Sequence, residues 1–243
     1  MNRGIEYLQG INALVNKVIE TQAMQITKTA ELIFETYKNG GMLYIFGTGH
    51  SHMLGLELFY RAGGFAKVYP ILEEGLMLHN GALRSTSFER IEGYANVLLK
   101  SYPVKKGDTI IVISNSGRNA LPVEMAIEAK KAGMNVIALT NMEHTTSQNS
   151  RHKSGKRLFE LADVILDNCG CLGDASLSFN TGNFAPTSTA VGSAMLWAIM
   201  CEVLESLENE NIDPQIFKSS NIDGGEEYNN KLIKKYIGII KPL

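Results

Sequence analysis

Two short runs in this chain have the composition of an anion cradle. Gly47-Thr48-Gly49-His50-Ser51 and Ser114-Asn115-Ser116-Gly117-Arg118-Asn119 combine glycines with hydroxyls and carboxamides. Glycine lets a backbone approach a ligand closely, and the side chains donate hydrogen bonds to its oxygens. Neither run ends in Gly-Lys-Ser/Thr, as a nucleotide P-loop does, and neither has the third glycine and downstream acidic strand end of a dinucleotide site. A cradle rich in hydroxyls and free of lysine suits a monophosphate. Each run by itself also reads as a tight strand-to-helix turn, with Ser51 as an N-cap in the first. Two of them in equivalent contexts favour a shared anion.

The context is set by the elements on either side. Residues 42–46 and 109–113 are short, almost wholly apolar stretches, which suits strands covered on both faces. A helix over 51–61 follows the first, and one over about 119–132 follows the second. Each run therefore lies where a strand ends and a helix opens, with backbone N–H groups and the helix dipole favouring an anion. A helix over about 5–39 carries Leu8, Ile11, Val15, Val18, Ile26, Ala30, Ile33 and Tyr37 on one stripe, and Asn39-Gly40-Gly41 stops it. Further strands are read at 135–140 and 164–166. A last long helix at about 187–207, with Val191, Met195, Ala198, Ile199 and Leu204 inward, is central in the domain or in a dimer. This order predicts an α/β chain with a parallel, doubly wound sheet, whose ligands bind beyond the carboxyl ends of the strands where the strand order reverses. Residues 209–243 read as an appendage, an arm onto a partner subunit, with a turn at 221–225 and a helix within 228–240.

Composition narrows the partners. The net charge is −2, from 23 basic and 25 acidic residues spread along the chain, so no footprint for nucleic acid or an anionic membrane stands out. Cys169, Cys171 and Cys201 form neither an even disulfide framework nor a CxxC pair, and the first residues lack a signal peptide's apolar core. Those features predict a cytoplasmic protein. The apolar stretches fall short of the roughly 20 residues that span a bilayer, so no membrane partner is expected. The polar stretch 141–157, with His144, Ser147, Arg151, His152, Lys153, Lys156 and Arg157, is either a solvated loop or a cover whose positive charge recruits an anion.

The runs GTGHS and SNSGRN, with Pro186-Thr187-Ser188-Thr189 leading into the last helix, resemble the SIS (sugar isomerase) domain. That family includes phosphoheptose isomerase, arabinose-5-phosphate isomerase, the isomerase half of glucosamine-6-phosphate synthase, N-acetylmuramic acid 6-phosphate etherase and sugar-phosphate-sensing regulators. More closely, the chain resembles a branch of SIS proteins that carry the label of phosphoheptose isomerase. The resemblance implies a three-layer, flavodoxin-like sheet of five parallel strands flanked by helices. It divides a single domain, 1–243, into an N-terminal helical segment 1–40, a SIS core 41–208 and the appendage 209–243. It also implies a homodimer or higher homo-oligomer that binds a phosphorylated sugar near the subunit interface. Carried over residue by residue, Ser51, Ser114, Ser116 and Asn119 contact the phosphate, with Thr48 and Asn115 close by. Ser188 and Thr189 lie against the sugar, and Gly49 and His50 join that face, although a lone loop histidine is more often a surface residue.

Isomerising a sugar phosphate requires a base that takes a proton from the carbon beside a carbonyl. Glu92 is the first candidate and Glu89 the second, because 88–94 resembles the glutamate-bearing segment of the etherase. His79 is a third if a neighbouring subunit brings it to the site. Solvated glutamates on an ordinary helix are the alternative. One departure matters: phosphoheptose isomerase places a metal-binding histidine six residues after its loop serine and a catalytic glutamate ten after it, where this chain has Glu57 and Arg61. The etherase has its glutamate at the latter position too. The last helix also lacks histidine, so no metal and no cofactor are expected in the reaction. Arg61 either meets an anionic substituent of the substrate or pairs with Glu57 at helical spacing. Cys169-Gly170-Cys171 beside Asp174 is too sparse for a metal site and reads as buried small residues. The expected function is a metal-independent sugar-phosphate isomerase of aldose–ketose type, or a related lyase; a non-catalytic sensor acting through protein contacts is the alternative.

Overall fold

The computed structural model describes residues 2–243. The helical stripe near the N-terminus becomes α1 (Arg3–Lys38), started by Asn2, whose side chain accepts the Gly4 and Ile5 amides. Then come β1 (Leu43–Gly47), α2 (Met53–Leu58), β2 (Val68–Ile71), α3 (Ala82–Phe88), α4 (Tyr94–Lys100), β3 (Thr109–Ile113), α5 (Ala120–Lys131), β4 (Asn135–Thr140), α6 (Met142–Thr146) and β5 (Val164–Asp167). A hairpin of β6 (Ala175–Phe179) and β7 (Gly182–Pro186) precedes α7 (Ser188–Asn209) and α8 (Gly225–Tyr236).

The five-stranded sheet has the order β2-β1-β3-β4-β5, and all its pairs are parallel. Alternation along each strand sends side chains to two separate cores. Leu43, Ile45, Ile111, Ile113, Ile137 and Leu139 face α1, α2 and α7, while Tyr44, Phe46, Ile110, Val112, Val136 and Ala138 face α4, α5 and the C-terminal segment. Both faces are covered, which is why the strands read as unbroken apolar runs. The chain order reverses between β1 and β3, and their register pairs Gly47 with Ile113. The two serine-bearing loops therefore leave adjacent strands at the same level, at the switch point of the sheet.

The structure departs from the sequence expectations in four places. The helix foreseen over 51–61 is a 3₁₀ turn at Gly49–His52 followed by α2, which stops at Leu58. The chain leaves it through Tyr60 at φ 46° so that Gly63, Gly64 and Ala66 can exchange backbone hydrogen bonds with Gln215 and Phe217. The tail that makes those bonds is not an extended arm. It folds back onto its own chain, burying Phe217, Tyr236 and Ile240 in the second core. β2 was not read because Pro70 interrupts it; as an edge strand it pairs only with β1, so the missing N–H is tolerated. Finally, α7 has 22 residues and is apolar enough for a membrane span. Its apolarity serves the core instead: Val191, Met195, Ile199, Val203 and Leu207 are buried in the cluster shared with α1 and the sheet.

Candidate functional site

A small cleft opens at the carboxyl ends of β1 and β3. Ser51, Asn115, Asn168, Ser188 and Thr189 line it, above a floor of Leu54, Ile113 and Leu139. Four of the residues expected to hold a phosphorylated ligand thus meet in one concavity, from three loops separated by up to 138 positions in the chain. Asn168 was not foreseen.

Asn168 is the middle of a chain of three carboxamides from the ends of β3, β4 and β5. Its Oδ1 accepts the Gly170 amide at 3.1 Å and Asn141 Nδ2 at 3.0 Å, so its Nδ2 must donate, and it does so to Asn115 Oδ1 at 2.7 Å. The other end is fixed as well, because Asn141 Oδ1 accepts the His144 amide at 2.7 Å. Backbone donors to Asn168 and Asn141 therefore determine the orientation of every amide, and Asn115 is left with its NH₂ to offer a ligand. Asn168 and Asn141 are buried, so each unmade bond would carry a desolvation cost.

The second loop is clasped from outside by the stretch after α6. The Gly117 and Arg118 carbonyls accept the Leu158 and Arg151 amides, and Asn119 Oδ1 accepts Arg151 Nη1 at 3.0 Å. Gly117 has φ 58°, and a Cβ there would lie 2.7 Å from Thr145 Oγ1. Within the loop, the Ser114 hydroxyl accepts the Gly117 amide at 3.2 Å and so braces the turn. Ser116 makes no hydrogen bond among the described residues, and its hydroxyl is available. Arg118 donates to Asn149 O and Gln148 Oε1. Neither Arg118 nor Arg151 has a carboxylate partner among the described residues; burial and then the charge of Arg151 push Arg118 downward from its ordinary pKa. Two uncompensated guanidiniums beside the start of α5 make this end of the cleft positive.

The first loop holds itself. The Ser51 amide donates to Thr48 O, and buried His52 bonds Gly49 O through Nδ1. A Cβ on Gly47 would sit 2.6 Å from the backbone carbon and oxygen of Ser51, so the turn closes only around glycine. The Ser51 hydroxyl has no partner among the described residues, but Thr48 donates its hydroxyl to Glu89 Oε1 at 2.7 Å. The Glu89 carbonyl meanwhile accepts the Leu121 amide in the first turn of α5 at 3.0 Å. Glu89 thus bridges the first loop and the helix that follows the second.

The other expected residues fall elsewhere. Glu92 faces away toward the stretch after α6, accepting the Lys153 amide at 2.9 Å with Lys153 Nζ at 3.2 Å. That amide, reinforced by the ammonium, holds its carboxyl below the usual carboxylate range. His79 is exposed and lies edge-on to His52, with ring centroids 6.3 Å apart. His50 is exposed as well. Ser188 donates its hydroxyl to Asp174, which also accepts the Thr187 and Ser188 amides and caps α7. Asp174 was read only as a weak metal candidate; a carboxylate two strands before a helix start carries no local capping signature. Glu57 accepts Trp197 Nε1 at 2.8 Å and Arg61 Nη1 at 2.8 Å, so the pairing alternative for Arg61 describes its position. Burial raises the Cys169 and Cys171 thiols above their ordinary pKa, which keeps them protonated and unreactive.

The SIS domain pattern matches residues 6–141, which takes in both loops. The UPF0309 protein BH3325 of Halalkalibacterium halodurans is 45% identical over 234 residues, covering 96% of this chain and 97% of its own. The UPF0309 protein TTE0306 of Caldanaerobacter subterraneus is 43% identical, covering 95% and 96%. Among solved structures, phosphoheptose isomerase GmhA from Neisseria gonorrhoeae superposes with a TM-score of 0.54 at 15% identity, over 85% of this chain and 97% of that one. The sugar isomerase domain of an RpiR transcription factor from Sphaerobacter thermophilus gives 0.52 at 13% identity, over 97% and 98%. At such identities the superpositions speak for the fold. With its five parallel strands in flavodoxin order, two serine loops at the switch point and a pattern match over more than half its length, the chain belongs to the SIS domain family.

Proposed function

We propose that this protein binds a phosphorylated sugar in the cleft at the ends of β1 and β3 and interconverts its aldose and ketose forms, with Glu89 as the base. The reading is supported by the convergence of Ser51, Asn115, Ser188 and Thr189 on one concavity, with Glu89 tied through Thr48 to the loop that supplies Ser51. Ser51 and Ser116 hydroxyls, the Asn115 NH₂ and the field of Arg118 and Arg151 take the phosphate. Thr48 holds one oxygen of Glu89; Oε2 has no partner among the described residues and is free to accept a proton from the carbon beside the substrate carbonyl. The reaction needs no net redox partner, since the proton returned to the neighbouring carbon completes the isomerisation. Glu89 takes precedence over Glu92 because a base must face the substrate, and Glu92 is turned to Lys153. In this reading the active form is a homodimer, which the exposed Ile5, Leu8, Ile19 and Met24 along α1 support.

A panel of hexose, amino-sugar, N-acetyl and heptose phosphates tests the proposal by thermal shift and by turnover. Stabilisation with conversion of at least one sugar is the expected result. Stabilisation without conversion would mean a sensor, a carbon–oxygen cleavage product would mean a lyase, and no response to any sugar phosphate would remove the proposal.

A further inference from the structure

Outside the cleft, three side chains from three elements converge: Glu92 ahead of α4, Glu124 on α5 and His152 in the stretch after α6. One donor atom of each lies within 4.8 Å of the others. We propose that they form a divalent-cation site of the zinc class.

Glu124 is 7% exposed, and its carboxylate accepts the Gly93 amide yet has no lysine or arginine partner among the described residues. A buried carboxylate in that state lacks compensating charge. His152 is also 7% exposed; its Nε2 lies 3.4 Å from Glu124 Oε1 and makes no hydrogen bond. Its Nδ1 sits 2.7 Å from Ser154 Oγ. The Ser154 amide also approaches Nδ1, at 3.3 Å, so that nitrogen is occupied by Ser154 and Nε2 is the ring nitrogen left to face a ligand. Nε2 faces the Glu124 carboxylate at a distance too long for a hydrogen bond, and a cation bound there takes the place of the Nε2 proton. Lys153 Nζ, 3.2 Å from Glu92 Oε2, supplies part of that charge here, but its side chain is 71% exposed and free to swing out.

The donor set decides the ion. One imidazole and two carboxylates suit Zn²⁺ with a water as fourth ligand, at about 2.0–2.2 Å from each donor. Ca²⁺ and Mg²⁺ are hard ions that favour all-oxygen shells, so the imidazole selects against both. Tetrahedral donors at those distances lie about 3.3–3.6 Å apart, so side-chain shifts of about 1–1.5 Å close the site. Bound there, the ion ties the stretch containing Arg151, and so the outer support of Asn119, to α4 and α5. This site stands independently of the sugar reading, because it uses none of the cleft residues.

The test is calorimetric titration of the full chain, stripped with EDTA and dialysed, with Zn²⁺ alone, alongside thermal melts. One ion per chain and a rise in Tm are expected, with binding weakened about tenfold or more in Glu124→Gln and in His152→Ala. Lys153→Ala keeps all three ligands and removes the competing ammonium from an exposed position, so it should fold normally and bind more tightly. The proposal is overturned by absence of Zn²⁺ binding, by equal binding to wild type and His152→Ala, or by weaker binding to Lys153→Ala.

Discussion

The first loop, 47–52, keeps its shape through its own backbone and a glycine that nothing else can replace, whereas the second, 114–119, is held by a stretch of chain some 30 residues downstream. The difference separates two tasks. A loop braced from outside, with its amides oriented through Asn168 and Asn141, presents donors to an anion without rearranging. The self-contained loop carries instead the hydroxyl that reaches Glu89, from Thr48, and so lies nearest the proposed chemistry.

Four measurements break or sharpen this division, from the largest effect to the smallest. Glu89→Gln keeps the shape and removes the base, so kcat should fall about 10³-fold, within the usual range for a general base, with KM little changed. A loss confined to KM would return Glu89 to a binding role and erase the distinction. Next, Gly47→Ala drives a Cβ into the backbone of Ser51 and should cost about 3 kcal/mol in chemical denaturation. Gly117→Ala meets the rotatable Thr145 hydroxyl and a positive φ, and should cost about 1–2 kcal/mol; the reverse ranking would show that the second loop is the less adaptable.

Asn168→Ala leaves Asn115 and Asn141 without a buried partner and should lower stability by about 1–3 kcal/mol. Ser116→Ala should cost a similar amount in phosphate affinity but nothing measurable in stability, since its hydroxyl braces nothing. Equal stability losses in the two variants would contradict the assignment of one to support and the other to contact. The smallest effect concerns pH. Burial and then Arg118 push His144 below its ordinary pKa, so the unfolded chain binds the proton more readily than the folded one between the lowered value and 6.5. Stability should therefore fall as pH drops through that window, and His144→Gln should flatten the dependence of Tm on pH there.

Much of the frame was legible along the chain. The strands at Leu43–Gly47 and Thr109–Ile113 and the helix Ala120–Lys131 lie close to their expected bounds, because apolar runs and flanking turn residues act over a few positions. The loops between them were found by the same local signals. The docking of the tail was not legible, because its amphipathic helix looks the same whether it packs on its own sheet or on another chain; the bonds of Gln215 and Phe217 with 63–66 place its start on its own chain. Pro70 hid an edge strand for a comparable reason, since its tolerance depends on having no neighbour on one side.

What the sequence determined by itself was the alternation of elements and the placing of two donor-rich turns where strands give way to helices, both consequences of short-range periodicity and backbone freedom. The tertiary structure alone decided which groups remain free to act. Thr48 and Glu89 are 41 residues apart and Asn115 and Asn168 are 53 apart, and only packing brings each pair within hydrogen-bond reach. A donor's or carboxylate's usefulness is set by the partners it already has, and those partners are fixed by contacts that local propensity does not encode.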